Sequence, residues 1–130
     1  MISYDEFKDG VKRALEQKDG VVYFKIGKTP DDKDVAIVIG WDAYVCGLDE
    51  DMEANYIENH YISAKVAYNC DDLQCDYGWD WYMPEIKETN DVYDTGCYLS
   101  KDDSGLKKDF AYLVDIAENV LAGYKKGEFI

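Results

Sequence analysis

The chain has 130 residues, of which 47% are hydrophobic and 15% aromatic, and it carries a formal net charge of −14 at pH 7. This length fits a single domain over residues 1–130, and the aromatic content excludes an acidic disordered segment, which is poor in aromatic and apolar residues. The charge argues against direct binding to nucleic acid or an anionic membrane, and no apolar run approaches the roughly 20 residues needed to cross a bilayer.

The N-terminal residues MISYDEF have neither a basic region nor an apolar core of the kind that directs secretion, so a cytoplasmic protein is expected. They do carry helix-start signals. Ser3 and Glu6 have the spacing of a capping box, Ile2 and Phe7 that of a hydrophobic staple, and Phe7, Val11, Ala14 and Leu15 follow on one helical face. Asp19-Gly20 is the expected stop. Residues 21–26 read as a strand from their β-branched and aromatic content, and residues 29–32 as a turn. Residues 35–41 form a continuous apolar run, which fits a central strand covered on both faces.

Periodicity fails over residues 42–59, which read as a loop. Alternation returns with Ile62, Ala64, Val66 and Tyr68 on one face. Residues 69–74 suggest a hairpin loop. In the next strand Cys75, Tyr77, Trp79, Trp81 and Met83 are expected to face the core, while Asp76, Gly78, Asp80 and Tyr82 face water. A last strand is expected over residues 92–99, after Pro84 and a charged loop. The final helix is marked by Leu106, Phe110, Leu113, Val114, Ala117, Leu121 and Tyr124 at spacings of three and four, with Asp103 or Ser104 as its cap and Gly123 and Gly127 weakening its end. This order predicts an α+β domain: an antiparallel sheet of about five strands, with the N-terminal and C-terminal helices on one face and the other face in water.

The cysteines have a sharp alternative reading. Cys70 and Cys75 bracket four residues, and Cys46, Cys97 and His60 would have to complete a zinc site. Structural zinc sites usually supply two pairs with two to four residues between ligands, and here there is one C-x4-C and two isolated cysteines. Plain packing thiols are therefore expected, with a small metal-binding protein as the runner-up. An EF-hand reading of Asp49-Glu50-Asp51 fails where the loop needs Gly and a bidentate Glu, because those positions are Ala54 and His60. His60, the single imidazole, sits in no nucleophile motif, and no phosphate-cradling or dinucleotide motif occurs. No cofactor and no enzymatic activity are expected.

The charge itself remains. Residues 29–103 hold 19 of the 28 carboxylates and 4 of the 14 cations. Carboxylates two apart on a strand stand about 6.6 Å apart, so Asp76 and Asp80 would lie in a row about 13 Å long. Asp71, Asp72, Asp91 and Asp94 are placed near it, and Asp49, Glu50, Asp51 and Glu53 form an acidic knot. Tyr82, with Tyr93 and Tyr56, would supply aromatic anchors. Such an array imitates the phosphate rows of a nucleic acid. The expected partner is a basic protein, a nuclease or other nucleic-acid-handling protein, for which this chain would be a stoichiometric inhibitor or shield. Nucleic-acid mimics that block restriction or CRISPR-type effectors, and the immunity proteins of nuclease toxins, share this small and acidic character; no family motif accompanies it here. The competing expectation is an adaptor domain whose acidity only keeps it in solution.

Overall fold

The structure, a computed structural model, describes residues 1–17, 20–41, 62–69 and 80–130. Their order is helix α1 (Tyr4–Glu16), strands β1 (Val22–Lys28), β2 (Asp34–Trp41), β3 (Ile62–Asn69), β4 (Trp81–Tyr82) and β5 (Cys97–Tyr98), and helix α2 (Asp103–Lys126). This is an α+β fold with a five-stranded antiparallel sheet.

The start of α1 follows its sequence. The Ser3 hydroxyl accepts the Glu6 N–H at 3.2 Å, and the Glu6 carboxylate accepts the Ser3 N–H at 3.3 Å, so two of the helix's orphan donors are satisfied reciprocally. The helix ends earlier than expected, at Glu16, with Gln17 already extended; Gly20 lies beyond it at a φ of 82°. The N-cap of α2 is Asp102, one residue before the expected pair, and its carboxylate accepts the Gly105 N–H at 3.0 Å. Gly127 closes α2 in the left-handed conformation that favours glycine, φ 76°, with its N–H on the Gly123 and Tyr124 carbonyls. The helix continues through Gly123 to Lys126. A β-carbon on Gly123 would collide with the Phe129 ring, so the missing side chain lets residues after the helix fold back onto it.

Strands β1, β2 and β3 form a meander, with Ile37 paired to Phe24 on one side and to Val66 on the other. On one face Val35, Ile37, Ile39, Ile62, Ala64 and Val66 pack with Phe7, Val11 and Ala14 of α1 and Leu106, Leu113, Ala117 and Val120 of α2. Both helices therefore cover the same face, as the order of elements predicts.

The expectation that the other face stays in water is overturned. Ala36, Val38, Ala67 and Trp81 are fully buried there in a second cluster, with Val21 beside them and Tyr23 packed against it. Ser63, Lys65 and Asn69 lie on the same side of β3 and are also buried, the Lys65 ammonium donating to the Trp81 carbonyl at 2.6 Å. In β4 Trp81 is buried and Tyr82 exposed, as expected, but the core that Trp81 enters is this second one. Trp81, paired with Asn69, turns away from the helices, and Tyr82, paired with Tyr68, is on the helix side and exposed. Of the strand expected over residues 75–83, residues 80–83 are described and Trp81–Tyr82 are strand, Asp80 and Met83 lying outside it; the expected hairpin loop lies outside the described residues apart from Asn69. The last strand is shorter than expected. It is confined to Cys97–Tyr98, with Val92 in an isolated bridge to Glu85.

The helices are joined at one end by a charge cluster. The Tyr4 hydroxyl donates to Asp103 at 2.7 Å, with the Lys8 and Lys107 ammonium groups at 3.1 and 3.3 Å from the same carboxylate. The Tyr4 hydrogen bond and then that from Lys8 lower the Asp103 pKa to about 2. Desolvation and then the bond to Asp103 raise the Tyr4 pKa to about 12. A depressed carboxylate contributes stability above its unfolded pKa of about 4 and loses it as pH falls toward the folded value. The contribution of Asp103 is therefore lost between about pH 4 and pH 2, and that of Tyr4 as pH rises from about 10 to 12. Carbon-detected NMR titration should give an Asp103 midpoint near 2, moving up toward the ordinary range in Tyr4→Phe; an unmoved midpoint would remove the hydroxyl from this account.

Candidate functional site

The outer side of β3 is covered piecemeal. β4 pairs with its Tyr68–Asn69 end and β5 with Ser63 and Ala64. Between them the Thr95 hydroxyl accepts the Val66 N–H at 3.2 Å and donates to the Val66 carbonyl at 2.5 Å.

Between β4 and Thr95 the chain makes an excursion. Tyr93 N–H donates to Pro84 at 2.7 Å, Ile86 N–H to Asp91 at 2.8 Å, and Glu85 bridges Val92, giving a hairpin over residues 84–93. Asn90 takes the left-handed conformation at its tip, φ 61°, which asparagine tolerates better than most residues. Residues 128–130 clasp this hairpin: Lys87 N–H donates to Glu128 and Ile130 N–H to Glu85, both at 2.9 Å, and Ile86 bridges Phe129. The Phe129 ring is buried between Tyr93 and Tyr124, with centroids 5.5 and 5.1 Å away.

This clasped hairpin and its exit carry Glu85, Glu88, Asp91 and Asp94, all exposed. Lys87 is the single cation of residues 80–100. None of the four carboxylates forms an ion pair with a described residue. The turn between β1 and β2 contrasts with it, since Asp31, Asp32 and Asp34 lie beside Lys33, Lys28 and Lys25 at 3.1–3.5 Å.

Helix α2 borders the same region. Asn119 lines a cleft with Ile86, Tyr93 and Phe129, and Asp115 and Tyr112 lie four and seven residues before it, on the same side of the helix. Partial burial, and then electrostatic interaction with Cys97 and Asp94, push the Tyr112 hydroxyl pKa up. This margin carries the exposed carboxylates of Glu85, Glu88, Asp91, Asp94 and Asp115 and the exposed side chains of Tyr82, Val92, Tyr98 and Tyr112. One exposed ion pair contributes about 0–1 kcal/mol, so such a surface acts through several pairs and aromatic anchors together.

Of the residues expected to bind a partner, Asp91, Asp94 and Tyr82 belong to this margin. Asp80 does not. It is 6% exposed, and its Oδ2 has no hydrogen-bond partner among the described residues. Asp80 lies outside the strand, in a 3₁₀ conformation, so the alternation that placed it beside water does not reach it. Tyr93, an expected anchor, is half-buried on Phe129. Asp49, Glu50, Asp51, Glu53, Asp71, Asp72, Asp76 and Tyr56 lie outside the described residues, as do Cys46, Cys70, Cys75 and His60. Cys97 is half-buried, and among the described residues no group of three or more His, Cys, Asp or Glu is placed to hold a metal ion.

Glu85, Glu88, Asp115, Tyr98 and Tyr112 were not expected at a site. The spacing of Tyr112, Asp115 and Asn119 on the polar side of the last helix was the available signal for two of them.

Fold and margin together define an α+β protein with a carboxylate and tyrosine surface along one side of its sheet. Among the described residues no helix is long and apolar enough to cross a membrane. In comparisons with known proteins no family model matches the chain, and no curated protein or solved structure matches it.

Proposed function

We propose that the protein is an acidic stoichiometric inhibitor or shield that docks on the basic nucleic-acid-binding surface of a partner protein. The observation that supports this reading is the margin: Glu85, Glu88, Asp91 and Asp94 form no ion pair with a described residue, and the same edge carries the exposed Tyr82, Tyr98 and Tyr112. A surface that served only to keep the molecule in solution would have no need of exposed aromatic groups among its charges. A groove built for phosphates supplies Lys and Arg for the carboxylates, and its aliphatic stems and guanidinium planes pack on tyrosine rings. Residues 42–61 and 70–79 add nine carboxylates and no Lys or Arg to the field that steers such a partner.

Recovery of partners from lysate tests the reading. Bound proteins should be basic and nucleic-acid-handling, should fall off steeply as salt rises, and should be displaced by added DNA or RNA. The variant Glu85→Lys/Glu88→Lys/Asp91→Lys/Asp94→Lys should lose them by about tenfold or more, at about 1.4 kcal/mol per decade. Salt-insensitive recovery of a neutral partner, unchanged by nucleic acid, would overturn it.

A further inference from the structure

A cavity of about 200 Å³ opens in the same margin, and its described walls include Lys65, Met83, Asp94, Gly96, Cys97 and Tyr98. The walls are mainly apolar. Met83, Cys97 and the Tyr98 ring contribute no charge, and Lys65 presents its stem, since its ammonium donates to the Trp81 carbonyl. Asp94 is exposed and its Oδ1 accepts the Gly96 N–H at 3.0 Å, which holds the carboxylate in place. An apolar cavity of about 150 Å³ accepts a benzene molecule. This one therefore has room for one large apolar side chain.

We propose that the cavity is the anchor socket of the margin. It takes one aromatic or leucine-sized side chain from the partner, while basic residues flanking that side chain meet Asp94 and Asp91. The inference rests on the proposed function and specifies it. A chain of net charge −14, with an exposed carboxylate lining this cavity, selects a cationic flank, and the apolar walls select what is inserted. Affinity at such interfaces concentrates in a few buried anchors, with charge contributing on-rate and register.

Gly96 offers a plug that changes no charge. A β-carbon there meets Ala64 O, Asp94 Oδ1 and Lys65 Cβ at 3.6–3.8 Å, ordinary contact distances, and its φ is not in the left-handed region. Gly96→Leu should fill the cavity.

The probes are three amidated peptides: Lys-Lys-Phe-Lys-Lys, Lys-Lys-Ala-Lys-Lys and Glu-Glu-Phe-Glu-Glu. The phenylalanine peptide with lysines should bind the wild type about tenfold tighter than the alanine peptide and should shift the Met83 methyl resonance. In Gly96→Leu that advantage should vanish with the salt dependence unchanged. Equal binding of both lysine peptides, or no Met83 shift, overturns the socket while leaving a charge-driven surface intact. Equal binding of the glutamate peptide overturns the cationic flank. Failure of every peptide at low salt, together with loss of the salt-sensitive recovery described above, defeats the underlying reading. The Met83 resonance reports on the wild type directly, so a plug variant that folds poorly does not blunt the test.

Discussion

Trp81→Ala should destabilise the protein by about 3–5 kcal/mol, the largest single effect expected among the described residues. The ring is fully buried against Ala36, Val38 and Ala67, with the Tyr23 ring centroid 5.0 Å away, on the face of the sheet opposite both helices. Truncation removes the transfer energy of an indole and leaves a cavity between small, strand-bound residues that cannot collapse into it, because Ala36 and Ala67 are paired across the ladder. Chemical unfolding of the variant and of Tyr82→Ala provides the comparison. Tyr82 is the next residue but half-exposed on the other side of the strand, and its loss should cost about 1 kcal/mol or less. If the two substitutions cost the same, Trp81 is not the centre of a second core.

That second core shows where the sequence is legible and where it is not. The continuous run in residues 35–41 already implies burial on both faces of β2, and both faces are buried: Val35, Ile37 and Ile39 on one, Ala36 and Val38 on the other. The conflicting expectation of a wet face came from reading the alternation near Trp81 with its tryptophans toward the helices. A period of two fixes which residues share a face, but not which layer that face meets. The helical layer was readable because each helix carries its own signal, the capping box in α1 and the stripe through Leu106, Leu113 and Ala117 in α2. Alternation in β3 likewise places Ile62, Ala64 and Val66 together under the helices.

The margin was half legible. Asp91 and Asp94 were expected from charge alone, and they are exposed. Tyr98 comes to the margin through a pairing that leaves no local trace, opposite Ser63, 35 positions earlier, whereas Tyr112 is marked by its spacing from Asp115 and Asn119 on the last helix. Asp80 illustrates the opposite error. Its residue type suggests a surface, yet Asp80 lies just before the strand, in a 3₁₀ conformation, and its side chain is buried. A carboxylate oxygen without a partner among the described residues is the kind of cost that position imposes and composition does not reveal.

Thr95→Val should destabilise by about 2–4 kcal/mol, although the two side chains have nearly the same shape. Thr95 is fully buried, and its hydroxyl serves both the N–H and the carbonyl of Val66. Those two groups face the gap between β4 and β5, where the chain has left the sheet to form the 84–93 hairpin and no described strand pairs with them. Valine fills the volume and strands both groups, each at about 1–3 kcal/mol. Thr95→Ser keeps the bridge and loses one buried methyl, about 1 kcal/mol. The expected order of stability is therefore wild type, then serine, then valine, with faster hydrogen exchange at the Val66 amide in the valine variant. A valine variant as stable as the serine one would mean that water or a strand shift replaces the hydroxyl. The same substitution bears on the margin, because the hydroxyl is what returns the chain from the acidic hairpin to the sheet edge. Loosening it should weaken partner binding in Thr95→Val and spare it in Thr95→Ser, with every carboxylate and tyrosine of the surface still present.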